Sequence, residues 1–196
     1  MIVVIAVVGW LGVERARTTV SWPAVVEAAG EKTTIHGLAR VHPKDGSVWE
    51  YALWARVEGP GTYTTEGMLR PVRSASAERR PSPAPGAELR ALCAAMDYFG
   101  ENGIVSRVAA GPEKQVRARW ARVSGDRALL VELEGAAVAG EKAEYVDRWQ
   151  VYVDAETMLV RRVELVAIDG GERLVRGRCD YRYDEPLPPG FGGRQE

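Results

Sequence analysis

Apolar and polar residues alternate along most of the chain, and the alternation predicts strands. Ile35, Gly37, Ala39 and Val41 fall on one side of an extended segment, with His36, Arg40 and His42 on the other. Lys44, Asp45 and Gly46 supply a turn, and a second arm follows with Trp49, Tyr51, Leu53, Ala55 and Val57 on one face and Glu50, Trp54 and Arg56 on the other. Gly59, Pro60 and Gly61 end it. Further on, Val116, Ala118 and Trp120 share a face. A turn at Ser124 to Asp126 leads to Leu129, Val131 and Leu133, and then Trp149, Val151 and Val153 alternate with Arg148, Gln150 and Tyr152. Val163, Leu165 and Ala167 make another strand, and Asp169, Gly170 and Gly171 the next hairpin turn. The last strand carries Arg173, Val175, Gly177, Cys179, Tyr181 and Tyr183 on one face against Leu174, Arg176, Arg178, Asp180, Arg182 and Asp184.

Two segments have helical spacing instead. Ser21 is a suitable N-cap before Trp22, Val25, Val26 and Ala29, and Gly30 stops the turn. Leu89, Leu92, Cys93, Met96 and Phe99 mark the buried stripe of a second helix, from Ala87 to Phe99, ended by Gly100. The stretch between, residues 73–86, is rich in serine, alanine and proline and reads as a loop. The part before it has too few strands for a covered sheet of its own, so the loop is an insertion within one domain. The expected fold is α+β: one long, curved antiparallel sheet covered on its concave side by two or more short helices. This domain is expected over 18–196, after a hydrophobic segment at 1–17.

That segment contains twelve uncharged residues, Ile2 to Val13. As a helix it covers about 18 Å, short of a hydrocarbon core of about 30 Å. It is a partial membrane anchor or signal, without the basic stretch that precedes a secretory signal, and a truncated or misassigned start is the expectation. A buried strand or helix of the domain itself is the competing reading of this run, and its β-branched residues also fit a buried strand.

Composition narrows the function classes. Lysine plus arginine total 26 against 27 acidic residues, so no net field argues for nucleic acid. The arginine clusters at Arg117 to Arg122 and Arg173 to Arg182 are diluted by acids and read as wet strand faces. Catalytic machinery is not expected, because none of the nucleophile-elbow, zinc-protease, phosphate-loop or paired-cysteine motifs occurs. No cofactor and no metal are expected. His36 and His42 lie six apart on one strand, about 20 Å at about 3.3 Å per residue, and cannot share an ion. Asp154 and Glu156 lack the remaining ligands of a calcium loop and read as turn residues. Cys93 and Cys179 either form a disulfide, as expected of an exported domain, or are two buried thiols.

From Arg148 to Phe191 the order of parts resembles the C-terminal half of LolA/LolB-like and RseB-like extracytoplasmic domains. The matching residues are Trp149 leading a strand, then the turn Asp154, Glu156, Thr157 and Leu159, the hairpin at Asp169 and Gly170, Tyr181 and Tyr183, and the tail Glu185, Pro186, Leu187, Pro188 and Phe191. The short helix and hairpin from Ser21 to Arg56 are similar in layout. Val160 departs from the pattern, where relatives often carry proline, and the tail lacks the longer ending of the lipoprotein carriers.

The resemblance implies an open half-barrel with an apolar cavity for acyl chains or apolar peptide, lined by Trp49, Tyr51, Leu53, Trp120, Trp149, Val151 and Tyr181. Packing as plain core against the helices is the alternative for each of these. It implies an extracytoplasmic, membrane-associated location in the bacterial periplasm or envelope. The partners would be lipid or a lipidated protein and an envelope regulatory protein. A tethered binding or sensing domain of anti-sigma type is the first expectation; a periplasmic lipoprotein carrier or chaperone and a structural envelope domain are the others.

Overall fold

A computed structural model describes residues 18–72, 86–96, 115–134 and 146–191. The N-terminal hydrophobic segment, the serine- and proline-rich loop up to residue 85, Phe99 and Gly100 lie outside the described residues.

Among the described residues nine antiparallel strands form one open sheet. In chain order they are β1 (Thr18–Ser21), β2 (Thr34–Val41), β3 (Trp49–Gly59), β4 (Thr62–Pro71), β5 (Gln115–Val123), β6 (Asp126–Glu134), β7 (Arg148–Val153), β8 (Val160–Asp169) and β9 (Glu172–Tyr183). Their spatial order is β1-β5-β6-β7-β8-β9-β2-β3-β4. Two helices join them, α1 (Trp22–Gly30) and α2 (Ala87–Met96). This is the α+β curved antiparallel sheet expected from the alternation, in the open half-barrel form that the resemblance implies.

The curl of the sheet is visible in what α1 touches. It packs on β1 at one edge and on β3, next to the opposite edge, so it closes one end of the half-barrel. Trp22, Val25 and Ala29 are its buried residues, and Gly30 lies so close to Pro60 that a Cβ there would meet the proline at 2.7 Å. Helix α2 lies against β9, β2 and β8, and buries Leu89, Leu92, Cys93 and Met96, in agreement with its spacing.

Besides the unpredicted edge strand β1, whose last residue Ser21 is the N-cap of α1 without a side-chain capping bond, two features differ from the sequence reading. Alternation does not predict β4 beyond the break at Gly59 to Gly61, because Thr62–Pro71 alternates weakly and ends in proline. It forms an edge strand, mostly exposed and paired to β3 alone among the described strands. The second difference lies in β9, where the register with β8 shifts between Leu165↔Gly177 and Val166↔Val175. Arg176 is the extra residue of a bulge, and a bulge reverses the face on which the preceding side chains lie. Arg173 and Val175 therefore do not share a face with Gly177 and Cys179. Arg173 instead bonds Gln150 and Glu164 on the opposite side of the sheet.

Candidate functional site

Register places the apolar residues in rows across the sheet. One row crosses all nine strands: Thr18, Ala118, Val131, Val151, Val163, Cys179, Ala39, Tyr51 and Leu69 are successive cross-strand partners. A parallel row runs Leu133, Trp149, Leu165, Gly177, Val41, Trp49 and Pro71. A third contains Trp120, Leu129 and Val153 on one flank and Tyr181, Gly37, Leu53 and Gly67 on the other. Directly paired residues share a face. All seven residues picked out in the sequence thus lie on one face, the face that carries the main hydrophobic core and the helices.

They differ in what covers them. Trp49, Leu53, Trp149, Val151 and Tyr181 are buried, Tyr51 is half-buried, and Trp120 is 42% exposed. The Trp120 ring carries the Arg127 guanidinium 4.3 Å from its centroid, a cation–π contact in place of apolar cover.

Helix α2 is held over the central rows by specific bonds. The Trp149 indole N–H donates to the carbonyl of Ala95 at 3.3 Å, and the Tyr181 hydroxyl to that of Met96 at 2.8 Å. Both acceptors lie in the last described turn of α2, so two core aromatics anchor that end of the helix. At the other end the Glu88 carboxylate accepts from the Lys44 backbone N–H. At the Tyr181 anchor the Met96 side chain fills the space left by Gly177, where an added Cβ would lie 2.2 Å from the Met96 methyl. Cys93 and Cys179 are both buried as thiols in this cluster, and burial pushes the Cys93 pKa up to about 12. The indole N–H of Trp22 is buried with no hydrogen-bond partner among the described residues.

The opposite face of the sheet is polar and cross-linked. Glu164, buried on β8, accepts from Arg178 at 2.9 Å and Arg173 at 3.1 Å, and the Tyr152 hydroxyl lies 3.4 Å away. Gln150 donates to Glu132 at 2.5 Å. His36 stacks on Trp54, centroids 3.6 Å apart, with its Nδ1 2.9 Å from Glu185. Among the described residues no cluster of three or more metal-ligating side chains occurs.

The acidic residues of the β7–β8 turn and of the C-terminal tail hold backbone in place. The Asp154 carboxylate accepts from the backbone N–H groups of Glu156 at 3.0 Å and Thr157 at 2.9 Å, and pairs with Arg161 at 2.5 Å. Asp184 and Glu185 tie the tail to the start of β2, Asp184 through Thr33 and Glu185 through the Thr34 hydroxyl and His36.

No protein-family model matches the chain, and no curated protein does. Among solved structures it is similar to the crystal structure of a LolA superfamily protein from Nitrosomonas europaea. The identity is 11% and the TM-score 0.27, over 86% of this chain and 96% of that one. A likeness at those values carries no functional weight. No described helix is long and apolar enough to cross a membrane.

Proposed function

We propose that the protein is a non-catalytic extracytoplasmic binding or sensing domain that takes an acyl chain or an apolar peptide segment against the concave face of its sheet, tethered to the membrane through residues 1–17. The observation that carries the reading is the apolar row running from β5 to β4, with a ten-residue helix over its middle held by bonds at its two ends. Such a helix is a cover that can lift without unpicking a strand. Beneath it lie Trp149, Val151 and Tyr181; beyond it Tyr51 and Leu69 are only partly covered. The Trp22 indole, without a partner among the described residues, adds support: leaving a buried donor unbonded costs about 1–3 kcal/mol, which a ligand oxygen would relieve.

The test is a titration of the full chain with a fluorescent fatty acid, dansyl-undecanoic acid, displaced by oleate. Saturable binding is expected, weakened at least about tenfold in Trp149→Ala. A variant that loses stability but binds the probe as wild type does, or a wild type without saturable binding, overturns the reading. In an oxidising compartment a Cys93–Cys179 bridge would pin the cover to the sheet, and two reactive thiols in the unfolded, unreduced protein would exclude it. The carrier reading gains instead from a cleaved signal and co-purifying lipid, the anti-sigma reading from a zinc-binding or sigma-interacting region upstream in the gene. Absence of all of these leaves a structural envelope domain.

A further inference from the structure

The ladder between β8 and β9 stops before either strand does. It runs from Asp169↔Glu172 to Arg162↔Asp180. β9 then continues through Tyr181, Arg182 and Tyr183, paired only on its far side with Gly37, His36 and Ile35 of β2. β8 turns the other way, because the bulge at Arg161 carries Val160 onto Val153 of β7. The two strands part like the tines of a fork. Arg162 Nε to Asp180 at 2.6 Å closes the root, and the Tyr183 hydroxyl reaches the Val160 carbonyl at 2.7 Å across the tines. A cleft of about 530 Å³ lies there, bounded by Arg161 and Arg162, by Asp180 to Tyr183, by the β5–β6 turn at Val123, Ser124 and Asp126, and by Thr157 and Leu159. That is within the size range of small-molecule sites.

Charge selects the ligand. Arg161 pairs with Asp126 at 2.7 Å and Asp154 at 2.5 Å, Arg162 with Asp180, and Arg182 with Glu185 at 3.3 Å. Three guanidiniums face four carboxylates, so a simple anion meets acids and a simple cation meets arginines. Each guanidinium has five donors in a fixed plane, and its partners here take only one or two. In two of these pairs the carboxylate is the looser partner, Asp126 at 68% exposed against 37% for Arg161 and Asp180 at 48% against 17% for Arg162, whereas Arg182 at 73% is looser than Glu185 at 31%. A ligand carrying both charges satisfies both sets, its phosphate on the arginine donors and its ammonium on Asp126 and Asp180. Tyr181 belongs both to the cleft wall and to the concave apolar core.

We propose that this fork is a binding site for a zwitterionic headgroup, a phosphodiester linked to a primary ammonium. The proposal deepens the acyl-chain reading by naming the polar end of its ligand, and rests on that reading only for an attached chain. The experiment records amide NMR spectra of the full chain with glycerophosphoethanolamine. Saturating shifts are expected at Ser124, Arg162 and Arg182, with neither glycerophosphate nor ethanolamine producing them at the same concentration. Arg182→Gln is expected to weaken binding about two- to fivefold, the scale of an exposed charge contact, and Arg119→Gln, remote from the fork, to leave it unchanged.

Dihexanoyl phosphatidylethanolamine, below its micelle concentration, distinguishes the sources. Binding at least about tenfold tighter than the chain-free probe marks a lipid, and equal binding marks a free headgroup. Absent shifts, equal shifts with glycerophosphate, or an Arg182→Gln variant that binds as wild type overturn the proposal. The fatty-acid probe has neither phosphate nor ammonium and the headgroup probe has no chain, so each reading can fail alone.

Discussion

β8 and β4 are both ten-residue strands of the same sheet, yet one is buried on two sides and the other is largely bare. In β8, Val163 and Leu165 face the helices while Glu164 and Val166 face outward, and all four are buried. In β4 no residue is buried, and Met68 is 66% exposed. The difference is cover rather than sequence length or ladder quality. β8 has neighbours on both edges, α2 beneath it and the Arg173, Arg178 and Gln150 side chains crossing above it; β4 has only β3 among the described strands. Stability is therefore concentrated in the middle of the sheet. Among the described residues the apolar face is half open on the β3–β4 flank, and the proposed ligand would enter there.

That contrast can be broken by mutation. Trp149→Ala removes a fully buried ring and the indole bond that anchors α2, and is expected to lower unfolding free energy by about 3–5 kcal/mol in a denaturant melt. A loss below about 1 kcal/mol would mean that the centre is not the stable region.

Asp154→Ala, at the turn that feeds β8, is expected to cost about 1–2 kcal/mol through its two backbone bonds and its ion pair. The same carboxyl sets a pH dependence. Burial pushes its pKa up, but the Thr157 and Glu156 amides and the Arg161 charge outweigh that and hold it below the usual aspartate value. A depressed folded-state pKa gives stability that is fully present above the unfolded value and is lost as pH falls through the folded one. Wild-type stability from this group should thus be level above about pH 5 and decline below about pH 4, with a shallower decline in Asp154→Ala. Parallel acid profiles for the two proteins would remove Asp154 as a source of the pH dependence.

The smallest effect is expected on the flank, where Met68→Ser should change stability by no more than about 0.5 kcal/mol. A larger loss would show that β4 is covered in solution.

Much of this fold was legible in the residues. Period-two alternation placed β2, β3, β6 and β7 and the inward face of each, because a strand between a core and water must alternate. Spacing of three and four marked Trp22, Val25 and Ala29 on α1, and Leu89 to Met96 on α2. The face-sharing of Trp49, Tyr51, Leu53, Trp120, Trp149, Val151 and Tyr181 also follows from alternation, once pairing sets them in rows. Trp120 marks the limit of alternation, since a face can be apolar by pattern and still lie under an arginine.

Bulges and cover were not legible. The extra residues Arg161 and Arg176 look like ordinary strand members in the chain, and each becomes a bulge only because of what its neighbouring strand offers. One bulge reverses the start of β9; the other parts β8 from β9 and opens the cleft. Nearest-neighbour chemistry along the chain was enough to specify strands, helices, turns and an inner face, since these depend on residues a few positions apart. Where the ladder breaks, which part of the inner face is roofed and which arginines meet in one cleft depend on groups far apart in sequence, brought together only by the curl of the sheet.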